Sequence, residues 1–410
     1  MKKYSLFASL LAALLMLGVT ACEKDDTTDF TGYINNPETP ENPDTLDTPG
    51  TPVVSDVAGS DTLYIVYDGA TATVTGDKHN YVSVSGADVT VNALEADTTM
   101  LIVLSGSTDN GSLLVYRQKA FTLRLNGVSI TNPDGPAINN QCGKALYVES
   151  VEGTENLLAD GTAYADAPVN TAGVAIDQKG ALFSEGQIFF CGSGTLTVNG
   201  NAKNGIASDD YIVFESGTVK VSVDDTGSNG IKVNDGLIIN DGTLTISVKA
   251  DGARGIKSDA YTTIAGGNTT ITTSGDCKIE TTDGVRDTAS AAGIKCDSLF
   301  AMTAGTLTIK STGDGGKGIN CSQDVLFSGG TLNVTTTGKN EVGKPKGIKS
   351  DTGIIVSGGS FTVKVDKSWA CDNGYEDSSL NDKQLAQKRI TVQGSPATKS
   401  IDKKTVMIKY

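Results

Sequence analysis

The chain has 410 residues, with 33 Lys and Arg against 48 Asp and Glu, a net charge of −15, 48 glycines and 6% aromatics. So acidic a surface cannot neutralise phosphates, which excludes nucleic acid as a partner. A single histidine, His79, excludes a multi-histidine zinc or iron centre and leaves His-dependent hydrolysis only one candidate base.

Met1-Lys2-Lys3 is a basic start, and the apolar run from Leu6 to Val19 is too short for a membrane span. The run ends in Val19-Thr20-Ala21-Cys22, which resembles a bacterial lipobox. Small residues there suit a signal peptidase, and the Cys22 thiol accepts diacylglycerol. Residues 1–21 are therefore expected to be a lipoprotein signal peptide. Glu23-Lys24-Asp25-Asp26 resembles the acidic surface-export signal of Bacteroidetes lipoproteins. The expected location is the outer membrane, surface-exposed or periplasm-facing, with the lipid as the only membrane contact. Residues 22–58 carry Pro37, Pro40, Pro43, Pro49 and Pro52 among Thr, Asp, Glu and Asn, and read as a disordered tether.

Residues 59–120 hold strand-like runs, among them Leu63–Tyr67 and Met100–Leu104, expected to form an N-terminal cap and the first strands. Residues 121–366 are expected to form the β-helix, less regular at first and repeating from residue 205. Gly-Ile pairs fall at Gly205-Ile206, Gly230-Ile231, Gly255-Ile256, Gly293-Ile294, Gly318-Ile319 and Gly347-Ile348, in steps of 25, 25, 38, 25 and 29 residues. The long step carries an insertion, 279–292. Counted from each Ile as zero, position +11 is always Gly, and apolar residues alternate with polar ones at +13 and +15. Alternation inside a 25-residue period predicts an all-β fold, a right-handed parallel β-helix of three short strands per turn, near 0 to +3, +5 to +9 and +12 to +16. Residues 367–410 are expected to form a C-terminal cap, with a helix from Leu380 to Arg389. A capped stack of this kind is expected to be a monomer.

Stacking turns each repeat position into a column. Position +1 gives Lys232, Lys257, Lys295 and Lys349, and +3 gives Asp209, Asp259, Asp297 and Asp351, both facing outward if Ile faces inward. Charge balance on a solvated face is the ordinary account of both rows; beyond it, the lysines are candidate ligands for sugar carboxylates and the aspartates for Ca²⁺. A second acidic row at +20, Asp251, Asp276 and Asp314, lies in turns where Asp commonly caps its own backbone. Stacked Asp with loop carbonyls also offers the hard oxygens that Ca²⁺ takes. Position +2 (Ser208, Val233, Ser258, Cys296, Cys321, Ser350) is expected to be small and buried, and Cys191 to face inward at +8. The disulfide state of Cys142, Cys191, Cys277, Cys296, Cys321 and Cys371 stays open. Tyr211 and Tyr261 could stack on sugar rings.

Phe121–Val128, Gly153-Thr154-Glu155-Asn156-Leu157, Gly192–Gly200 and the Gly-Ile-Lys-Ser-Asp turns together resemble the calcium-associated β-helix carbohydrate-binding family, cellulose- and polygalacturonate-binding in character. The resemblance covers roughly residues 60–365. It implies a right-handed β-helix similar to that of pectate lyases, Ca²⁺ as cofactor, and an acidic or β-linked polysaccharide as partner. The expected function is non-catalytic, calcium-assisted polysaccharide binding from a surface tether. A calcium-dependent polysaccharide lyase is the alternative, with Arg254 and Arg286 as candidate bases, although surface salt bridges are an ordinary role for both. A structural or adhesive surface protein is the third.

Overall fold

The structure, a computed structural model, describes residues 61–170, 172–282 and 284–410. The signal, Cys22 and the tether lie outside them. The described chain is a parallel β-solenoid of about eleven turns with almost no helix. First strands of successive turns form a 12-stranded sheet, and second and third strands form two ladders of a 23-stranded sheet. The two ladders merge towards the N-terminus. There the long strand Phe121–Asn132 pairs with Leu146–Ser150 through its first half and Glu155–Asp160 through its second.

Register follows the repeat. Ile206, Ile231, Ile256, Ile294, Ile319 and Ile348 are direct neighbours down the first sheet. The column continues through Leu182, Ile138, Leu113 and Val89, all essentially buried. Residues 61–120 thus already stack in parallel: Asp61–Asp68 pairs with Met100–Thr108, and Asp88–Ala93 with Ser112–Arg117. Antiparallel strands Thr71–Thr75 and Val82–Ser85 flank this end.

Two glycine columns make the turn possible. A Cβ on Gly205, Gly230, Gly255, Gly293, Gly318 or Gly347 would stand 2.2–2.6 Å from a methyl of the Val or Ile at +15 of the same turn. The first and third strands therefore meet across the core at the only residue that has no side chain. The glycines at +11 (Gly217, Gly242, Gly267, Gly305, Gly330, Gly359) have φ between +67° and +90°, which L side chains rarely adopt. They turn the chain from second strand to third.

The strand positions differ slightly from expectation. The first strand starts two residues before the Ile, as in Arg254–Ser258, because the backbone at Gly and the residue before it already pairs with its neighbours. The insertion folds as a hairpin of Lys278–Thr282 and Val285–Ala289. Cys191 is one residue past the inward position, which Phe190 fills against Phe214. All six cysteines from Cys142 onward are buried free thiols.

The solenoid runs past residue 366, since Trp369–Asp372 is the last strand of the first sheet. Beyond it the helix Asp382–Lys388 starts at an Asn381–Gln384 capping box. Its C-cap residue Arg389 reaches Asp372 at 2.8 Å and lies 4.0 Å over the Trp369 ring. Thr391–Val392 ends the second ladder; antiparallel Thr405–Lys409 covers the third and pairs in turn with antiparallel Thr398–Ile401.

Because Gly255 meets both Ile271 and the Gly293 carbonyl, Gly255→Ala is expected to cost about 2 kcal/mol in denaturant unfolding. Gly143→Ala, where a Cβ meets nothing within 4 Å, is expected to stay within about 0.5 kcal/mol.

Candidate functional site

The connections single out one face. Excluding the C-terminal cap, the three longest links between strands are 161–179, 274–291 and 337–345, and each joins a third strand to the next first strand. They therefore all rise along one edge of the first sheet. In solenoids, insertions gathered on one side commonly mark the binding face.

The outward column of this sheet runs Asn139, Phe183, Ala207, Lys232, Lys257, Lys295, Asn320, Lys349 and Asp372. The four expected lysines are thus aligned, three of them consecutive. Like charges about 4.8 Å apart repel, and the +3 aspartates answer them. Lys232 reaches Asp259 at 2.5 Å and Asn234 at 2.7 Å, and Lys257 reaches Asp259 at 3.6 Å. Lys295 pairs with Asp297, and Lys349 with Asp351. Burial works to raise the Asp259 carboxyl, but Lys232 and Lys257 outweigh it and hold it below the usual carboxylate range. Asp209, Asp259 and Asp297 therefore each already face a lysine. Any group that binds here must exchange with an existing partner.

The +20 row is a different device. The Asp276 N–H donates to Asp251 Oδ1 at 2.8 Å, the Asp314 N–H to Asp276 at 2.7 Å, and the Lys339 N–H to Asp314 at 2.7 Å. These aspartates cap the backbone of the next turn instead of their own, because the stack brings that N–H within reach. An Asn ladder runs parallel to them, Asn229 donating to Asn204 and the Arg254 N–H to Asn229, each at 3.0 Å.

Three carboxylates gather where loop 161–179 meets the face: Asp177, Glu185 and Asp209, with ligand atoms within 4.8 Å of one another. Glu185 is the +3 residue of the turn before Asp209, hidden because that turn has Ala181-Leu182 where later ones have Gly-Ile. Asp177 comes from the aperiodic loop, fixed by Asn139 and Gln141 donating to its backbone carbonyl at 3.0 and 3.3 Å. Three hard oxygens suit Ca²⁺, and here Lys179 supplies the countercharge, bonded to both Asp177 and Asp209. Burial, then Asp209 and Asp177, push the Glu185 carboxyl up, with Lys179 offsetting only part of it.

The hairpin walls a cavity of about 350 Å³ against the same face, lined by Arg254, Lys295 and Asn320 below and Glu280, Asp287 and Ser290 beside. The two candidate arginines are not brought together there. Arg254 is partly buried in the cavity and has no ion pair among the described residues, so its expected surface salt bridge is not formed. Arg286 is exposed on the hairpin and does not line the cavity. The two candidate stacking tyrosines sit at the start of second strands. Tyr211 packs edge-on against Phe189 at 5.7 Å, and Tyr261 covers Gly236.

The molecule is thus a β-solenoid with one loop-bordered, charge-laddered face. The chain belongs to the carbohydrate-binding domain-containing protein family, whose sequence profile matches residues 85–277 and 245–341. A carbohydrate-binding domain-containing protein of Acetivibrio thermocellus is 29% identical over 137 residues, 33% of this chain. That match spans 46% of the relative, less than half its length. A solved structure titled as a polysaccharide lyase-like protein from C. thermocellum, a gadolinium derivative, superposes with a TM-score of 0.50 at 23% identity. It covers 65% of this chain and 97% of that one, and at this identity it bears on the fold alone.

A raised carboxyl makes the folded state hold its proton more tightly than the unfolded one. Stability from Glu185 is therefore full below its unfolded pKa and lost as pH rises through the folded value. Glu185→Gln is expected to raise Tm at neutral pH and to leave it little changed at acid pH. A lower neutral-pH Tm in a calorimetric series would contradict this account of the cluster.

Proposed function

We propose that this chain binds an extended polysaccharide, acidic or β-linked, along the first sheet between the loops that border it. The observation that carries this is the placing of all three long insertions on one edge of one sheet. A regular sheet face of many turns offers a polymer a repeating row of donors and acceptors. Here that row is Lys232, Lys257, Lys295, Asn320 and Lys349, with carboxylates beside them. Because each lysine is already paired, a glycan gains from hydroxyl hydrogen bonds shared across the ladder more than from naked charge.

Calcium assistance is part of the proposal, with Ca²⁺ exchanging for the Lys179 ammonium at Asp177, Glu185 and Asp209 and bridging them to a sugar carboxylate. An acidic protein needs such a bridge or a local cation to hold an acidic polymer. Cys22 would tether the module to the outer membrane. Eliminative cleavage is a second reading, favoured by the arginine in the cavity.

Retention on immobilised polygalacturonate and cellulose tests all of this. Replacing Lys232, Lys257 and Lys349 together by Ala is expected to weaken retention by about tenfold, with chelator reducing it on the acidic polymer only. Full retention by the triple variant would remove the binding face proposed. Ultraviolet absorbance from unsaturated uronate ends, lost in Arg254→Gln, would convert binding into cleavage.

A further inference from the structure

The hairpin cavity differs from the rest of the face in its charge balance. Arg254 and Lys317 occupy one column of the first sheet, with only the Ala292 methyl between them. Across two turns of about 4.8 Å each, that leaves a gap of roughly 10 Å between their backbones. Arg254 Nε is buried and finds no hydrogen-bond partner among the described residues. Lys317 is 8% exposed, and its ammonium donates to Ser290 Oγ, a hydroxyl of the cavity wall. Neither cation has a carboxylate within ion-pair distance among the described residues, whereas each outward lysine of the neighbouring column has one. Lys346, next in the same column, is paired with Asp372.

We infer that this cavity is a binding site for an oxyanion, a carboxylate or sulfate group borne on a hydroxylated small molecule or sugar unit, received by Arg254 on the side where Lys317 stands behind the Ser290 hydroxyl. A buried cation without a counter-ion is costly, and an anion entering over Ala292 would supply it. Burial lowers the pKa of both groups. Glu280, Cys277 and Asp297 only partly offset this for Arg254; for Lys317, Cys277 offsets part of it while Lys346, Lys349 and Arg254 add to it. The acidic lining is engaged elsewhere: Glu280 pairs with Lys278 at 2.9 Å, and Asp287 accepts from the Thr288 N–H at 2.7 Å. Their remaining lone pairs suit sugar hydroxyls, so the site fits an acidic sugar better than a bare anion. Where a polysaccharide carries the anion, the inference rests on the glycan-binding reading; for the free small molecule it does not.

The test is calorimetric titration of the full chain with galacturonate, inorganic sulfate and glucose at constant ionic strength. Galacturonate or sulfate is expected to bind at least about tenfold more tightly than glucose, and to lose at least about tenfold in both Arg254→Gln and Lys317→Met. Both variants are also expected to melt higher than the unaltered chain without ligand, because an uncompensated cation is gone. Binding of galacturonate without sulfate identifies a uronate as the source, and the reverse identifies a sulfate ester or free sulfate. Equal affinity for glucose, or undiminished anion binding in both variants, overturns the site. If the variants do not fold, carbamylation of Lys317 in the unaltered chain, followed by mass spectrometry, must be slowed by the anion; no protection overturns it too. Anion binding undiminished in both variants, with the unaltered chain retained on polysaccharide, sinks the cavity alone. No retention of the unaltered chain on any polysaccharide sinks the broader reading and leaves the titration to decide this one.

Discussion

The close approach of first and third strands at the glycine before each Ile sets everything else. With no Cβ at Gly255 or its equivalents, the Val or Ile at +15 drops into the space, and the turn closes around a narrow core. A turn this tight has no room for slippage. Each Ile must then lie above the next, and every other position is aligned in consequence. Columns of like residues are the product of that constraint, whether they carry methyls, amides or charges.

Alignment forces like charges together, and the protein answers in two ways. On the outward first-sheet column, lysines and aspartates two residues apart cross-link, so Asp259 serves both Lys232 and Lys257. At the turns, Asp251, Asp276 and Asp314 give one carboxylate oxygen to the backbone of the next turn. Both devices give charged groups a partner within the stack. The pattern breaks where aperiodic loops enter it, beside Asp177 and under the hairpin.

This explains what could be read from the amino acids. The six Gly-Ile pairs and their alternating neighbours gave the solenoid, its register and the inward or outward sense of the columns, because those are periodic properties. The partners of the predicted residues were harder. That Asp276 caps the turn beyond its own depends on stacking distance, not on local turn chemistry. Glu185 was concealed by a turn lacking the Gly-Ile mark, and Asp177 by a loop with no period. Lys317 sits between Gly316 and Gly318 and looks like turn filler, yet it is on a strand and buried. Inward hydroxyls such as Thr273, Ser311 and Thr336, which have no hydrogen-bond partner among the described residues, have no account in either sequence or packing.

The antiparallel strand Thr405–Lys409 has a consequence for assembly. A stack of parallel turns presents, at its last turn, a template on which the first turn of another copy could continue, and head-to-tail growth would give a fibre. The antiparallel pair Thr405–Lys409 and Thr398–Ile401 covers the end of the third ladder, and Arg389 over Trp369 covers the end of the first sheet, so that template is hidden on two sides.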